Sequence, residues 1–287
     1  MIVAIASGKG GTGKTSLAVN LARTLERTLS LPVQLLDCDV EEPNAHLFLA
    51  GTPLGEETIN IAVPDFDPDK CDACDKCVDF CQFNALASVG KTPLLFPELC
   101  HGCGGCMLVC PQDAIREKGY RIGVVKTARA GSITLKSGCL DVGVSLASTL
   151  VHALKERMED GITTILDAPP GTACQAVATL RGSDFVVLVT EPTPFGLHDL
   201  TLAVDTVRAL DLRFGVVINR VGVGDDRVQR YCAAEDIPIL LEIPDDRRVA
   251  EACSRGELIV DALPDYREHF ARLWQAIESH SAVEVTA

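Results

Sequence analysis

Residues 8–15 read Gly8-Lys9-Gly10-Gly11-Thr12-Gly13-Lys14-Thr15. An apolar stretch, Ile2 to Ala6, comes directly before them and predicts a buried strand. Directly after them, residues 15–28 carry leucine at every fourth position, on one face of a predicted helix. A glycine-rich turn between a strand and a helix is the setting of a phosphate-binding loop, so this stretch predicts a nucleotide site.

Each residue type in this loop suits the binding of phosphate. Glycine lets the backbone N–H groups curl around phosphate oxygens, and the helix N-terminus adds a partial positive charge. Lys14 supplies a point charge, and the Thr15 hydroxyl is a ligand for magnesium. An ordinary glycine-rich turn is the alternative, and the flanking strand and helix argue against it. The predicted nucleotide ligands in this loop are Gly8, Lys9, Gly10, Gly11, Thr12, Gly13, Lys14, Thr15 and Ser16.

The outer parts of the chain alternate apolar runs with helical patterns, as a doubly wound, mostly parallel α/β sheet requires. The alternation stops over residues 64–120 and then resumes, which predicts one α/β domain, residues 1–63 and 121–287, with a small α+β insertion at 64–120. The predicted strands are Ile2–Ala6, Val33–Asp37, Thr163–Asp167, Phe185–Thr190, Phe214–Asn219 and Pro238–Ile243. The predicted helices are Thr15–Thr28, Gly196–Leu210 and Asp225–Glu235.

The insertion contains a near-repeat rich in cysteine. Residues 71–86 and 100–115 share the spacing C-x2-C-x2-C-x3-C, and each copy ends in an Asn or Asp, an Ala and an aliphatic residue. In this spacing three thiolates of one tight loop bind one [4Fe–4S] cluster while the fourth binds the other cluster. The first predicted cluster is bound by Cys71, Cys74, Cys77 and Cys110. The second predicted cluster is bound by Cys81, Cys100, Cys103 and Cys106.

Structural zinc is the alternative for these cysteines, because zinc sites also use paired C-x2-C. Zinc would leave the third and fourth cysteines of each repeat surplus, so iron-sulfur clusters are favoured. The insertion resembles bacterial two-cluster ferredoxins, with one departure: Gln82 follows Cys81 where the ferredoxin pattern has proline. This departure removes no ligand, so we expect it to affect cluster potential or stability.

Five of the 13 cysteines lie outside the two repeats. Free cysteine commonly behaves as a small buried apolar side chain, which is the interpretation for most of these five. For Cys139, just beyond the insertion, and for Cys174, an approach to a cluster or to a dimer interface is the alternative to test. The five are Cys38, Cys139, Cys174, Cys232 and Cys253.

The phosphate-binding loop resembles that of the MinD, Mrp and nitrogenase iron-protein superfamily. The deviant Walker A motif of that superfamily, KGGxGKT, matches Lys9 to Thr15. The resemblance implies that Lys9 reaches the nucleotide of a facing subunit, which would couple ATP to a homodimer or to a heterodimer with a related ATPase. The C-x-x-C pair that Mrp-type carriers use to bridge a cluster between subunits is missing from the C-terminal half of this sequence.

The resemblance extends to both flanks of the insertion. It implies a first switch in which Asp39 positions or deprotonates the attacking water and Asp37 lies beside magnesium. It implies a second switch in which Asp167 holds magnesium and Gly171 lies near the γ-phosphate. The catalytic set implied is Lys9, Lys14, Asp37 and Asp39. The magnesium set is Thr15, Asp39 and Asp167. The residues implied around the base are Asn219, Arg220, Pro244 and Asp245.

Composition narrows the classes of partner. The formal net charge of −14 argues against nucleic acid, because nucleic-acid affinity comes largely from Lys and Arg. An anionic membrane surface is disfavoured for the same reason, and the tail His280–Ala287 carries no basic Lys or Arg. The N-terminal apolar stretch is too short for a signal peptide, so we expect a cytoplasmic protein with reduced thiols.

Two functions fit this set of motifs. The favoured one is a dimer-forming ATPase whose clusters serve iron-sulfur or metallocofactor assembly, with a cluster-acceptor protein as partner. The alternative is an ATP-gated reductant, similar in logic to the nitrogenase iron protein, that passes electrons to a redox partner. A third reading, spatial positioning as in MinD, is disfavoured by the acidic balance and by the cysteine repeats.

Overall fold

A computed structural model describes residues 1–281 of the chain. The strands are β1 Ile2–Ala6, β2 Val33–Asp37, β3 Thr52–Phe66, β4 Leu86–Ala87, β5 Leu94–Leu95, β6 Ile115–Ala130, β7 Ile133–Leu140, β8 Thr163–Asp167, β9 Phe185–Thr190, β10 Phe214–Val221 and β11 Ile239–Pro244. The helices are α1 Lys14–Arg27, α2 Lys76–Phe80, α3 Gly105–Leu108, α4 Ala147–Lys155, α5 Cys174–Leu180, α6 Pro194–Ala209, α7 Arg227–Ala234, α8 Arg247–Ser254, α9 Ile259–Ala262 and α10 Tyr266–Ser281.

Within residues 1–281, one sheet of nine strands organises the chain, in the order β11-β10-β9-β1-β8-β2-β7-β6-β3. The strands from β11 to β7 pair in parallel, whereas β6 is antiparallel to both of its neighbours. The prediction of a mostly parallel α/β sheet is therefore confirmed. The central strands β1, β2, β8 and β9 begin and end where the apolar runs of the sequence predicted.

Helices cover both faces of the sheet because its strands are apolar on both sides. In β1, Val3 and Ile5 face the core that contains α1 and α10, whereas Ala4 and Ala6 face the core that contains α4 and α6. Successive residues of a strand point to opposite faces, so a continuous apolar run supplies two cores. The carboxyl ends of the parallel strands therefore lie side by side at one end of the sheet, which we call the nucleotide edge.

Three strands of the sheet were not predicted: β7, and the two long strands β3 and β6, which pair with each other along most of their length. Charged side chains interrupt their apolar pattern, because much of the hairpin is exposed to solvent on one or both faces. The segment over which the predicted alternation stops, 64–120, begins and ends with residues of β3 and β6. The predicted domain bounds at residues 63/64 and 120/121 fall inside β3 and β6.

The hairpin of β3 and β6 carries residues 67–114, the cysteine segment, at its tip. Leu140, the last residue of β7, pairs with Gly123 of β6, and Ile59 of β3 lies opposite Gly123. Beyond these residues β3 and β6 pair only with each other, up to Phe66 and Ile115. Since β7 runs parallel to β2, the hairpin extends past the same sheet edge that carries the phosphate-binding loop.

Within residues 1–281, the helices are too short or too polar to cross a lipid bilayer. The tail interpreted from sequence, His280–Ala287, includes residues 282–287, which lie outside the described residues.

The apolar core gives a stability test with a matched control. Phe185 of β9 is fully buried, whereas Phe195 of α6 is 76% exposed. We expect Phe185→Ala to lower the free energy of unfolding by about 3–5 kcal/mol, because a cavity replaces the ring. Phe195→Ala should change it by less than about 0.5 kcal/mol. Urea denaturation followed by circular dichroism measures both values, and equal effects would contradict the assignment of Phe185 to the core.

Candidate functional site

The phosphate-binding loop between β1 and α1 is held by contacts that only glycine permits. Gly13 has φ of +97°, and a Cβ there would lie 2.6 Å from the side-chain nitrogen of Asn219. That nitrogen donates a hydrogen bond to the Thr12 carbonyl at 2.9 Å. A Cβ at Gly8 would lie 2.0 Å from the Asp199 carbonyl oxygen of α6. The loop is therefore held by β10 and α6, and Gly8 cannot be replaced without backbone movement.

Lys14 lies buried beneath this loop, with its ammonium 3.5 Å from the Lys9 carbonyl oxygen. Burial lowers the pKa of Lys14, and the negative charges of Asp167 and Asp39 oppose that effect. The Thr12 hydroxyl is buried and finds no hydrogen-bond partner among the described residues. The loop thus presents a buried cation and an unused hydroxyl, both of which suit an anionic ligand.

Asp167 is a buried carboxylate whose oxygens are available to bind a ligand. It ends β8 and lies opposite Asp37, which ends the neighbouring β2. Asp167 is fully buried, and neither of its carboxylate oxygens has a hydrogen-bond partner within residues 1–281. Burial raises the pKa of Asp167 well above its usual range, the charge of Asp37 adds to the rise, and the nearby Thr15 hydroxyl and the Lys14 ammonium oppose it. Two buried oxygens without partners fit a divalent cation that prefers oxygen ligands.

Asp37 holds the loop that follows β2. Its carboxylate accepts hydrogen bonds from the backbone N–H groups of Asn44 and Ala45, both at 2.9 Å, and of Asp39 at 3.3 Å. Burial raises the pKa of Asp37 to about 7, and the charge of Asp39 adds to the rise while the backbone donors oppose it. Because its oxygens already accept three bonds, Asp37 positions the loop that carries Asp39.

The raised pKa of Asp37 predicts a pH dependence of stability. A carboxyl whose pKa is higher in the folded chain binds a proton in the folded state that the unfolded state has already released. Its contribution to stability is therefore lost as the pH rises from its unfolded pKa toward about 7. In EDTA, Asp37→Asn should flatten the decrease in unfolding free energy between about pH 5 and pH 8. Urea titrations across this range test the prediction, and an unchanged slope would contradict it.

The second switch packs directly against the phosphate-binding loop. Gly171 has φ of +87°, and its N–H donates to the Ser7 carbonyl at 3.0 Å. A Cβ at Gly10 would be 3.9 Å from the Pro170 side chain. Asp39, in the first switch, is half-buried, and burial raises its pKa while the charge of Lys14 opposes the rise. The structure thus brings Gly171, Asp39 and Asp167 to the same edge as Lys14 and Thr15.

Glu191 is a residue of this site that sequence reasoning missed. It follows β9, is 9% exposed, and lies 3.3 Å from the Lys9 ammonium and 3.3 Å from an Arg220 guanidinium nitrogen. Arg220 also bonds Asp245 at 3.1 Å. The family resemblance implies that Lys9 reaches the nucleotide of a facing subunit. In this structure Lys9 is instead paired with Glu191 of its own chain. The available signal was weak: a Glu at the carboxyl end of a buried parallel strand.

A pocket of about 860 Å³ opens beside the loop. Part of its lining is formed by apolar side chains of α8, α9 and α10. All of the residues implied for the base line it: Asn219, Arg220, Pro244 and Asp245, together with Gly13 and Ser16. Sequence reasoning missed its apolar wall and Cys253, whose sulfur lies 3.6 Å from the Ser16 hydroxyl. The missed wall residues include Phe48, Val249, Ile259 and Phe270.

The eight repeat cysteines line two separate cavities in the cysteine segment. The outer cavity has about 340 Å³ of empty space, lies against Phe66 and Ile115 at the hairpin tip, and is lined by Cys71, Cys74, Cys77 and Cys110. The inner cavity has about 620 Å³, lies against residues 62–64 and Glu117, and is lined by Cys81, Cys100, Cys103 and Cys106. The fourth cysteine of each repeat therefore lies with the first three of the other repeat.

The two repeats also have the same backbone shape. Each has positive φ at three equivalent positions, which turn the cysteine loops tightly around the cavities. These positions are Ala73, Asp75 and Asn84 in the first repeat, and Gly102, Gly104 and Asp113 in the second. The short helices α2 and α3 begin at equivalent residues of the two repeats.

The donor sets suit a cluster better than a single ion. Within residues 1–281, no group of three or more His, Cys, Asp or Glu side chains is placed to hold one metal ion. Zinc gathers its thiolates about 2.3 Å from one centre. The four thiolates of a [4Fe–4S] cluster bind four different irons, so they stand farther apart. Four cysteines distributed around a cavity fit the second arrangement.

Comparison with known proteins agrees with the fold and with a nucleotide-binding family. Residues 3–259 match the family model described as the CobQ/CobB/MinD/ParA nucleotide binding domain. An uncharacterized protein of Methanocaldococcus jannaschii is 31% identical over 94% of this chain and 96% of its own length. An iron-sulfur cluster carrier protein of Aquifex aeolicus is 26% identical over 92% of this chain and 63% of its own length.

Solved structures give the same result for the fold. MinD of Pyrococcus horikoshii, solved with Mg-ADP, has a TM-score of 0.62 at 18% identity and covers 100% of this chain and 99% of its own. The match spans the sheet that carries the phosphate-binding loop. The chain belongs to the family of CobQ/CobB/MinD/ParA nucleotide-binding domains.

Proposed function

We propose that the protein is a magnesium-dependent, dimer-forming ATPase that holds two [4Fe–4S] clusters and acts in iron-sulfur or metallocofactor assembly. The single observation that carries the proposal is the pair of four-cysteine cavities at the tip of a hairpin that leaves the sheet at its nucleotide edge. A chain of this kind brings an ATP-driven change close to sulfur-bound iron. We assign it to the cytoplasm, where thiols stay reduced.

The nucleotide half of the proposal uses the residues at the sheet edge. Residues 8–16 wrap the phosphates, and the pocket beside Asn219 and Asp245 takes the base. Thr15, Asp39 and Asp167 would hold magnesium, which neutralises the charge of the phosphates. Asp39 orients the attacking water, and Asp37 keeps the Asp39 loop in place through three backbone hydrogen bonds.

The cluster half uses the repeat cysteines. The outer cavity would hold the first cluster and the inner cavity the second, in an insertion similar to a two-cluster ferredoxin. When bound, such clusters supply low-potential electrons or transferable iron and sulfide. Assembly is favoured over electron transfer because several relatives are named iron-sulfur cluster carriers. The bridging C-x-x-C of Mrp-type carriers is missing from residues 175–287, so any cargo would leave from the cysteine segment.

Anaerobic purification tests the proposal. We expect about eight irons per chain, the spectra of two [4Fe–4S] clusters, and magnesium-dependent ATP hydrolysis. Incubation with an apo-acceptor should then move intact clusters to the acceptor. ATP-dependent reduction of a partner with the clusters retained would instead establish the electron-transfer alternative. A colourless protein with stoichiometric zinc would overturn both.

Lys9→Ala tests the dimer. If Lys9 acts on the nucleotide of a facing subunit, the variant should bind ATP normally but hydrolyse it at least about a hundredfold more slowly, as with other cations supplied in trans. Lys126→Ala is the matched control, because Lys126 is an exposed lysine of β6, four strands away from β1 in the sheet. Unchanged turnover in Lys9→Ala would refute action across a dimer.

A further inference from the structure

We propose that residues 141–146, the bridge loop between β7 and α4, carry the nucleotide state of the first switch to the inner cysteine cavity. This inference rests on the proposed function and names the contacts that would connect the nucleotide site to the cysteine segment. The bridge loop has three sets of contacts, to the first switch, to the β6 arm and to the cysteine segment. The outer cavity has none of these contacts, so the two cavities should respond differently.

The first contact joins the start of the loop to the switch. The Leu140 N–H donates to the Val40 carbonyl at 2.8 Å, and Val40 directly follows Asp39. The Val40 side chain is 2% exposed and lies so close to Gly138 of β7 that a Cβ there would be 2.6 Å away. A movement of Asp39 toward a nucleotide therefore moves Val40, and Val40 cannot move without displacing the end of β7.

The second contact joins the loop to the hairpin. The Asp141 N–H donates to the Ile122 carbonyl at 2.9 Å. The Asp141 carboxylate accepts two bonds from the Arg121 guanidinium, at 2.7 Å from Nε and 3.1 Å from Nη2. Such a two-point pair fixes orientation as well as distance. Arg121 and Ile122 lie where β6 leaves the sheet, so the direction of the arm depends on Asp141.

The third contact joins the loop to the inner cavity. The Ser145 hydroxyl donates to the Glu98 carbonyl at 3.3 Å, two residues before Cys100. Val144 and Cys100 both pack against the apolar core that contains Val40. In the same region, a Cβ at Gly102 would lie 3.1 Å from the Ala62 carbonyl of β3, so the cysteine turn rests closely on the hairpin. The segment around the inner cavity thus contacts the bridge loop on one side and the hairpin on the other.

The bridge loop itself has the freedom that a transmitting element needs. Gly143 has φ of +84°, and no atom lies within 4 Å of the position its Cβ would take. Val142 is fully exposed. Asp141 and Ser145 of the bridge loop are held by hydrogen bonds, Val144 packs against the core, and Val142 and Gly143 make few contacts, so these two residues can absorb a shift of the loop. Coupling of this kind needs a segment that both sites bias.

Arg121→Gln is the test variant, studied in the full chain loaded with its clusters. Arg116→Gln is its control, because Arg116 is an exposed arginine of the same strand, nearer the outer cavity, with no ion pair among the described residues. The measurements are the midpoint potentials and electron paramagnetic resonance spectra of both clusters, with and without Mg-ADP. Hydrogen exchange of residues 140–146 provides a reading that does not depend on iron.

In the wild type and in Arg116→Gln, Mg-ADP should change the spectrum or potential of one cluster and the exchange of residues 140–146. In Arg121→Gln the change at the cluster should fall to less than half, with iron content and ATP hydrolysis within about twofold of wild type. The charge-reversed pair Arg121→Asp with Asp141→Arg should restore it, which a merely structural role would not require.

Three outcomes distinguish failure of the bridge-loop proposal from failure of the proposed function. A full nucleotide response in both Arg121→Gln and Asp141→Asn would overturn the bridge-loop proposal. A wild-type protein with eight irons and normal hydrolysis but no response of either cluster would also overturn it, while the proposed ATPase and cluster content would stand. Loss of iron or of hydrolysis in the wild type would overturn the proposed function itself.

Discussion

Asp167→Asn should lower magnesium-dependent ATP hydrolysis by at least about a hundredfold without unfolding the chain. Both carboxylate oxygens of Asp167 are buried without a hydrogen-bond partner among the described residues, so their bonding capacity is available for a cation. An amide keeps the shape but removes the charge and one acceptor. Hydrolysis rates measured against magnesium concentration test this expectation.

The same substitution should leave the ligand-free chain as stable as before or more stable. Asp167 and Asp37 face each other at the ends of β8 and β2, and removing one of two buried acids relieves their repulsion. Urea denaturation in EDTA measures this effect. Asp160→Asn, at an exposed position before β8, is the control. Wild-type turnover in Asp167→Asn, or a less stable ligand-free chain, would contradict the assignment of Asp167 to magnesium.

The second large effect concerns which cysteines share a cluster. Cys77 and Cys110 line the outer cavity together, although they belong to different repeats. Replacing both with serine should therefore remove one cluster and leave about four irons per chain. Replacing Cys77 and Cys81, which belong to the same repeat but line different cavities, should damage both clusters. Iron and sulfide analysis of anaerobically purified variants measures the difference.

The control for these variants is the pair Cys38→Ser and Cys232→Ser. Both cysteines are fully buried in the ATPase core and lie outside the cysteine segment. Burial raises the pKa of Cys38 far above the usual thiol range and that of Cys232 to about 11, as expected of packing residues. Iron content should stay near eight in this pair. If replacing Cys77 and Cys81 removed one cluster while replacing Cys77 and Cys110 removed both, the predicted exchange of the fourth cysteines would be wrong.

Local patterns made much of the fold and of the nucleotide site predictable. The strand β1, the glycine-rich turn and α1 are adjacent in sequence, so their geometry follows from the neighbouring residues. Asp37 and Asp167 could be placed because each ends a buried apolar run, and parallel strands bring such ends to one edge. Short spacing brings the first three cysteines of each repeat to one cavity, whereas the exchange of the fourth cysteines was predicted from the two-cluster ferredoxin pattern.

What could not be predicted depends on contacts between distant residues. The strands β3 and β6 carry glutamate, lysine and arginine on exposed positions, and their pairing stabilises them despite a weak apolar pattern. The Glu191 carboxylate meets Lys9 and Arg220 only after three loops converge. The hydrogen bonds of the bridge loop join residues 40, 98, 121 and 122 to one turn, and no spacing in the sequence indicates them.

The exchange of Cys81 and Cys110 between the two cavities also bears on how the chain is made. On the ribosome the first three cysteines of the outer set are synthesised well before the fourth, and the inner set begins with Cys81 and ends only at Cys106. Neither thiol set can close around iron until nearly the whole segment has emerged. If the proposed clusters bind, loading and folding of residues 67–114 should therefore occur as one event after the second repeat has emerged, and truncation between the repeats should leave no half that retains a cluster.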